Sequence, residues 1–277
     1  MIEVLKRHWP EYLMEAAGLA FFMIGAGVFT TLLEHPDSPV QQAMGGNPLL
    51  RRSVLGVLMG IVIAIIIYAP TGKRSGAHIN PAVTWTFFRL GKIKGWDALF
   101  YTFAQFAGAI ITAQLLTLAL GNLFTHPSIN YAMSLPAAGA HGTRNAFLAE
   151  FIISFILMFA VLVAVNSARL EKLVGLMTGV LIAFYIVVEL PFSGMSLNPA
   201  RSFGSAFAAG HWPDLWVYFT APVLAMLLAA EAYLQLKRNR KVARAVLRHR
   251  QDKWCIFCDY QEGPSYPVED HPVEERV

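Results

Sequence analysis

The chain has 277 residues, of which 56% are hydrophobic and only 14% are charged. Soluble domains carry about 25% charged residues, so this composition excludes an ordinary soluble enzyme, a nucleic-acid binder and a disordered chain. We expect a lipid bilayer as the main partner, no nucleic-acid partner and no cofactor. The net charge of +4 fits this class, because basic residues gather at the cytoplasmic ends of membrane helices.

Six stretches are apolar over about the 20 residues that a transmembrane helix needs. They cover roughly residues 12–33, 53–69, 97–119, 146–166, 173–190 and 214–236. Two further apolar segments, about 80–89 and 198–208, have half that length. Ten helical residues rise only about 15 Å, so these two segments are predicted to enter the membrane without crossing it.

Lysine and arginine residues indicate the orientation of the spans. They precede the first span, lie between the second and third and between the fourth and fifth, and follow the sixth. If the spans alternate, these positions share one side, so both termini are predicted to be cytoplasmic in a multi-pass protein of the cell membrane. Arg51, Arg52 and Arg144 fall on the other side and weaken this bias without reversing it.

The two halves of the chain repeat each other. Gly60 matches Gly179 at an offset of 119, and Asn80 matches Asn198 at an offset of 118. Each half holds three spans, so the halves have opposite topologies, which points to a transport site at the midplane. The two glycines are also interpreted as helix-packing residues.

The predicted segments are a cytoplasmic N-terminus (1–11), a first inverted repeat (12–119), an extracellular loop (120–145), a second inverted repeat (146–236) and a cytoplasmic tail that is basic, then acidic, and partly disordered (237–277).

Each half-length segment begins with Asn-Pro-Ala. The two copies are Asn80-Pro81-Ala82 and Asn198-Pro199-Ala200. Asparagine is a favoured N-cap and proline is favoured at the first helical position, so each tripeptide starts a helix. Two half-helices that enter from opposite faces would meet N-terminus to N-terminus. Each N-terminus carries about half a positive charge, so a cation or proton meets a barrier there that a neutral molecule does not.

These residues resemble the aquaporin, or major intrinsic protein, family. The strings Ser75-Gly-Ala-His-Ile-Asn-Pro-Ala-Val-Thr84 and Leu197-Asn-Pro-Ala-Arg-Ser202 look like its two signature loops. Its helix signatures are matched by Glu15, Glu150, Gln105 and Gly108. The resemblance covers about residues 10–236. It implies an all-α fold of six tilted transmembrane helices plus two re-entrant half-helices in an inverted repeat, a pore in each protomer, and a homotetramer.

The resemblance also implies roles for single residues. The amides of Asn80 and Asn198 would donate hydrogen bonds to the permeant molecule, and His78 would line the cytoplasmic vestibule. Glu15 and Glu150 would be structural residues that cap backbone groups of the loops. Backbone carbonyls of both loops would replace the hydration of the permeant molecule. The loop residues concerned are Gly76, Ala77, His78, Ile79, Gly194, Met195, Ser196 and Leu197.

The outer constriction decides between water and larger solutes. Counting back twelve and three residues from the second Asn-Pro-Ala gives Ile186 and Met195. An ungapped count of twenty from the first copy gives Gly60, whereas the extra loop residue that the repeat indicates gives Met59, which we prefer. Arginine adds a fixed charge with five donors, which bind a neutral oxygen and repel cations. The predicted selectivity filter is Met59, Ile186, Met195 and Arg201.

Ile186 stands where the water-specific branch of the family usually has histidine, which opens space and puts the exclusion of larger solutes in doubt. Ser202, Ala206 and the pair Tyr218-Phe219 look like the water branch instead. We predict a passive channel that conducts water and excludes protons and ions, with passage of small neutral solutes left open. The alternatives are a pore mainly for glycerol, urea or undissociated metalloid acids, and a secondary transporter. An enzyme is not expected, because the sequence has no clustered metal ligands or nucleophile–base pair.

Three features remain outside this scheme. Glu189, near the outer mouth, is interpreted as a structural partner, with Arg201 or a loop donor opposite it. Residues 237–250 are basic and would form a solvated flank or lie on the anionic inner leaflet. Cys255-Ile-Phe-Cys258 is a single C-x-x-C pair, which without a second pair does not make a metal site.

Overall fold

The computed structural model describes residues 1–236 together with Val242, Leu247 and Phe257. This part of the chain is helical and contains no strand. The predictions for the rest of the tail, including the C-x-x-C cysteines and the acidic end, lie outside the described residues. The α-helices in chain order are α1 (Ile2–Glu34), α2 (Pro39–Ala43), α3 (Pro48–Tyr68), α4 (Pro70–Ser75), α5 (Pro81–Arg89), α6 (Gly95–Leu120), α7 (Asn122–Thr125), α8 (Gly142–Val165), α9 (Val174–Val188), α10 (Leu190–Ser193), α11 (Pro199–Ala209) and α12 (Leu215–Leu236).

Six of these helices are long and apolar enough to cross a membrane, namely α1, α3, α6, α8, α9 and α12. The predicted fold class is therefore confirmed. Helix α1 starts ten residues earlier than the first predicted span. Its first turns are polar but carry buried partners, because His8 binds Asp97 at 2.7 Å and Arg74 binds Glu11 at 2.7 Å.

The half-helices α5 and α11 begin directly after the two asparagines. The side-chain oxygen of Asn80 accepts a hydrogen bond from the Ala82 N–H at 2.9 Å. The side-chain oxygen of Asn198 accepts from the Ala200 N–H at 3.0 Å. Asn198 accepts in addition from the Arg201 N–H at 3.3 Å. The asparagines thus satisfy one and two of the free N–H groups at their helix starts, and the following proline has no N–H to satisfy.

Helices α3 and α9 join the two halves through glycines. A Cβ atom placed on Gly60 would lie 2.5 Å from the carbonyl oxygen of Gly179, and one placed on Gly179 would lie 2.5 Å from the Gly60 oxygen. One turn away, a Cβ on Gly56 would lie 2.6 Å from the Ala183 oxygen. The two backbones therefore touch directly, as small residues allow between membrane helices.

The outward faces of the long helices are apolar. Leu118 is 81% exposed and Phe103 is 63% exposed, and other large apolar side chains are open on every spanning helix. Water does not solvate so much exposed apolar surface favourably, whereas lipid does. The fold therefore fits a multi-pass membrane protein with its polar groups turned inward.

Candidate functional site

Two short loops before the half-helices have the same unusual backbone. Ala77 and Ile79 have φ of 52° and 41°, and their counterparts Met195 and Leu197 have φ of 48° and 60°. Left-handed backbone is uncommon outside glycine and costs about 1–2 kcal/mol per residue. Such a conformation persists only where surrounding groups stabilise it. The hydrogen bonds that each loop makes with the rest of the protein therefore determine the backbone geometry of the site.

Glu15 of α1 holds the first loop. Its side chain is completely buried. One carboxylate oxygen accepts from the Ser75 hydroxyl at 2.7 Å and from the His78 N–H at 3.1 Å. The other accepts from the Ile79 N–H and from the Gln105 side chain. Hydrogen bonds to an ionised acceptor are the strong ones, so this carboxylate offsets the cost of the left-handed backbone.

Glu150 of α8 holds the second loop in the same way. One oxygen accepts from the Ser193 hydroxyl at 2.7 Å and from the Ser196 N–H at 2.6 Å. The other accepts from the Leu197 N–H at 2.8 Å. Both glutamates therefore sit inside the protein with their oxygens committed to backbone and hydroxyl donors.

The two asparagines bind each other's loops. The Asn80 amide nitrogen donates to the Leu197 carbonyl at 2.7 Å, and the Asn198 amide nitrogen donates to the Ile79 carbonyl at 2.8 Å. The oxygen of each side chain is already bound to its own helix, so the amide orientation is set. Because an amide NH₂ has two hydrogens, each asparagine keeps one donor for another acceptor.

A cavity of about 80 Å³ lies between the halves, which is room for several water molecules. One wall is formed by residues 77–80 and 195–198, which carry the two loops and both asparagines. Much of the remaining lining is apolar and includes Ile63, Ile67, Leu157, Val161 and Ile182. The polar groups that line the cavity therefore come mainly from the two loops and the two asparagines.

The predicted filter residues Met59, Ile186, Met195 and Arg201 are all buried. Met195 lines the cavity itself. Met59 lies one helical turn before the lining residue Ile63 in α3, and Ile186 lies one turn after Ile182 in α9. Since the two helices run in opposite directions, both displacements lead towards the same end of the cavity, which is the end where Ser134 of the segment 120–145 contacts Arg201.

Arg201, in the first turn of α11, is bound from that connecting segment. Its guanidinium donates to the hydroxyl of Ser134, which is also 3.1 Å from the Ser202 hydroxyl. Glu189 is buried, yet its two carboxylate oxygens accept no hydrogen bond within the described part of the chain. Glu189 nevertheless lies close enough to Arg201 and Ser193 to interact with both electrostatically. The interpretation of Glu189 as a structural partner of Arg201 or a loop donor therefore stays a prediction.

Two tyrosine–loop hydrogen bonds were missed by the sequence analysis, which did not name Tyr101 and used Tyr218 only as a sign of the water branch. The Tyr101 hydroxyl donates to the Ser75 carbonyl at 2.7 Å, and the Tyr218 hydroxyl donates to the Ser193 carbonyl at 2.6 Å. They are spaced by almost the same offset as the two asparagines, so extending the repeat into α6 and α12 would have found them. The serine at position 134 carries no comparable signal, because it lies in an irregular segment.

The hydrogen bond from the Tyr218 hydroxyl to the Ser193 carbonyl gives a first testable prediction. Tyr218→Phe should lower the free energy of unfolding by about 1–3 kcal/mol, because it leaves the buried Ser193 carbonyl unsatisfied. Tyr185→Phe is the matched control, since the Tyr185 hydroxyl is buried without a hydrogen-bond partner among the described residues. We expect that control to be neutral or stabilising in thermal unfolding of the purified protein. Equal losses in both variants would contradict the anchoring role.

Comparisons with known proteins agree with this architecture. The family model for major intrinsic proteins matches residues 5–233. Aquaporin NIP1-1 of Oryza sativa is 33% identical over 195 residues, which is 70% of this chain and 66% of that protein. Aquaporin-4 of Mus musculus is 33% identical over 240 residues, which is 82% of this chain and 69% of that protein. The resemblance inferred from the two loops is thereby confirmed.

The match spans just under two thirds of the first curated relatives, with 66% of the rice protein and 65% of the putative aquaporin NIP4-1 of Arabidopsis thaliana. Among solved structures, the aquaglyceroporin from Plasmodium falciparum superposes with a TM-score of 0.66. That match covers 82% of this chain and 95% of the other at 21% identity, and it supports the fold alone.

Proposed function

This chain belongs to the major intrinsic protein family, and on that premise we propose that it is a passive channel for water. The observation that carries the proposal is the pair of half-helix starts, where Asn80 and Asn198 bind each other's loops and keep one donor each. A water molecule in the cavity would accept from these donors and give its own hydrogens to loop carbonyls. It would thus exchange its bulk hydrogen bonds for equivalent ones, which allows passage without tight binding.

The residues proposed for the filter are Met59, Ile186, Met195 and Arg201. Gly60 supports this register, because its open side is occupied by the Gly179 backbone and cannot also face the pore. Three apolar side chains and one guanidinium would leave a passing molecule a single strong donor. Such a filter binds one oxygen at a time and offers no acceptor to a hydrated cation.

Exclusion of ions and protons would come from two sources. The N-termini of the half-helices α5 and α11 lie close together, as the bonds between each asparagine and the other loop require, and each contributes about half a positive charge. Arg201 adds a full positive charge at the outer end of the cavity. Both effects act in a narrow and poorly solvated space, where charges interact more strongly than in water.

The alternative of a broader pore, mainly for glycerol, urea or undissociated metalloid acids, is favoured by one observation. Position 186 holds isoleucine, and much of the cavity lining is aliphatic. Such a surface can accommodate the carbon skeleton of a small polyol. A secondary transporter is a weaker alternative, because the carboxylates of Glu15 and Glu150 are engaged by the loops and would not bind a coupling ion.

The proposal extends to the setting of the channel. The protein would lie in the cell membrane as a homotetramer, with a pore in each protomer and both termini in the cytoplasm. The orientation follows the distribution of lysine and arginine. The exposed apolar faces of the spanning helices would contact lipid and neighbouring protomers.

Stopped-flow light scattering on proteoliposomes tests this function. Osmotic shrinkage reports water, and swelling in glycerol, urea and boric acid reports the solutes on the same preparation. We expect water flux well above that of empty vesicles, with shallow temperature dependence and no response to an ion gradient. Raised glycerol flux with water flux equal to that of empty vesicles would instead favour the broader pore. Saturation with solute and coupling to an ion gradient would favour a transporter.

The filter assignment predicts that Ile186→His narrows the pore. Imidazole adds a rigid polar ring in place of an aliphatic chain, so we expect glycerol flux to fall about tenfold while water flux changes much less. Ile186→Leu keeps the volume and apolar character, and should leave the ratio of the two fluxes unchanged. If histidine leaves that ratio unchanged as well, Ile186 does not lie in the constriction.

A further inference from the structure

Phe257, from the C-terminal tail, lies against the inner mouth of the cavity. Its ring centroid is 5.4 Å from that of His78 and 6.5 Å from that of Tyr101. A Cβ atom on Gly76 would come within 2.8 Å of the phenylalanine ring, so the ring is seated directly on the first loop. Phe257 is only 6% exposed, so the ring is shielded from solvent where it contacts the first loop.

Leu247 reaches the same place from another part of the tail. Its N–H donates to the Gly76 carbonyl at 3.4 Å, and its side chain lines the cavity. That carbonyl belongs to the first loop, where the proposed function places acceptors for the permeant molecule. An apolar side chain and a backbone donor thus occupy the inner end of the water path.

We propose that Leu247 and Phe257 form a plug that closes the channel from the cytoplasmic side. The proposal rests on the proposed function, because it assumes that water leaves the cavity past His78. The plug belongs to the same polypeptide as the channel. It covers the inner mouth with two apolar side chains, which offer passing water no hydrogen bond. Movement of these two side chains away from the first loop would open the path without rearranging the membrane helices.

The test compares full-length proteins in the proteoliposome assay, with flux normalised to the amount of protein per vesicle. Phe257→Ala and the double variant Phe257→Ala with Leu247→Ala should raise water permeability per channel about threefold or more, because a plug that is seated most of the time leaves few open channels. Phe103→Ala is the matched control, since Phe103 is 63% exposed on the outer face of α6. Its permeability should equal that of the unchanged protein.

Water permeability that is unchanged in both tail variants, while the unchanged protein conducts well above empty vesicles, would overturn the plug and leave the proposed function intact. Flux no greater than that of empty vesicles in every protein would overturn the proposed function, and the plug with it. A photo-crosslinking residue in place of Phe257 gives a readout that does not depend on flux. Crosslinks to residues 76–78 or Tyr101 support the contact of Phe257 with the first loop, and crosslinks only to other parts of the protein contradict it.

Discussion

Glutamine in place of Glu150 should lower the thermal stability of the purified protein sharply and remove most of its water permeability. The carboxylate accepts from the Ser193 hydroxyl and from the N–H groups of Ser196 and Leu197. Glutamine has one acceptor oxygen, and its NH₂ group would face donors. At least one buried N–H would lose its partner in a loop that already has left-handed backbone, at a cost of about 1–3 kcal/mol for each group left unsatisfied.

Glu189→Gln is the control for this prediction. Glu189 is also a buried glutamate, but its oxygens accept no hydrogen bond in the described part of the chain. Replacing a buried carboxylate that lacks hydrogen bonds with a neutral group should leave the unfolding temperature unchanged or raise it. A similar fall in both variants, measured by thermal unfolding in detergent, would mean that the loss comes from removing charge and not from releasing the loop.

A single methyl group on Gly60 should prevent the two halves from packing. In Gly60→Ala the new Cβ would lie 2.5 Å from the Gly179 carbonyl oxygen, well inside van der Waals contact. The obstacle is backbone on another helix, so no side chain can turn away to make room. Overpacking of this kind costs about 3 kcal/mol or more, and we expect a low yield of folded protein and little water flux.

Gly95→Ala separates this effect from a general intolerance of larger residues. Gly95 is the first residue of α6, and a Cβ there would meet only the Phe88 ring, at 3.6 Å. Alanine favours the helix by up to about 1 kcal/mol, so the change should be neutral or stabilising. Yield and unfolding temperature are measured for both variants. A Gly60→Ala protein as stable as Gly95→Ala would show that the α3–α9 contact can separate without loss.

The helices could be predicted because their physical causes are local. A span needs a long apolar run, and a half-helix needs an N-cap and a proline, all of which are visible in the sequence around Asn80 and Asn198. The early start of α1 was missed because its polar first turns are stabilised by Asp97 and Arg74, which are far away in the chain. Apolar length alone cannot report such partners.

The site was less accessible to sequence reasoning, because it depends on backbone conformation. The left-handed φ of Ile79 runs against the preference of a β-branched residue, so no local rule predicts it. The conformation exists because Glu15 receives the neighbouring N–H groups. The contact between Ser134 and Arg201 has the same character, since it joins an irregular segment to α11 through tertiary structure alone.

The exchange of hydrogen bonds between the two asparagines bears on the order of assembly during synthesis. Asn80 finds its acceptor on Leu197, more than a hundred residues later in the chain. When the ribosome has finished only the first three spans, the Ile79 carbonyl and the Asn80 amide still lack the partners that the second half supplies. The first re-entrant segment therefore completes its bonds only after translation has passed Asn198, and until then the nascent half depends on water, lipid headgroups or the insertion machinery to satisfy them.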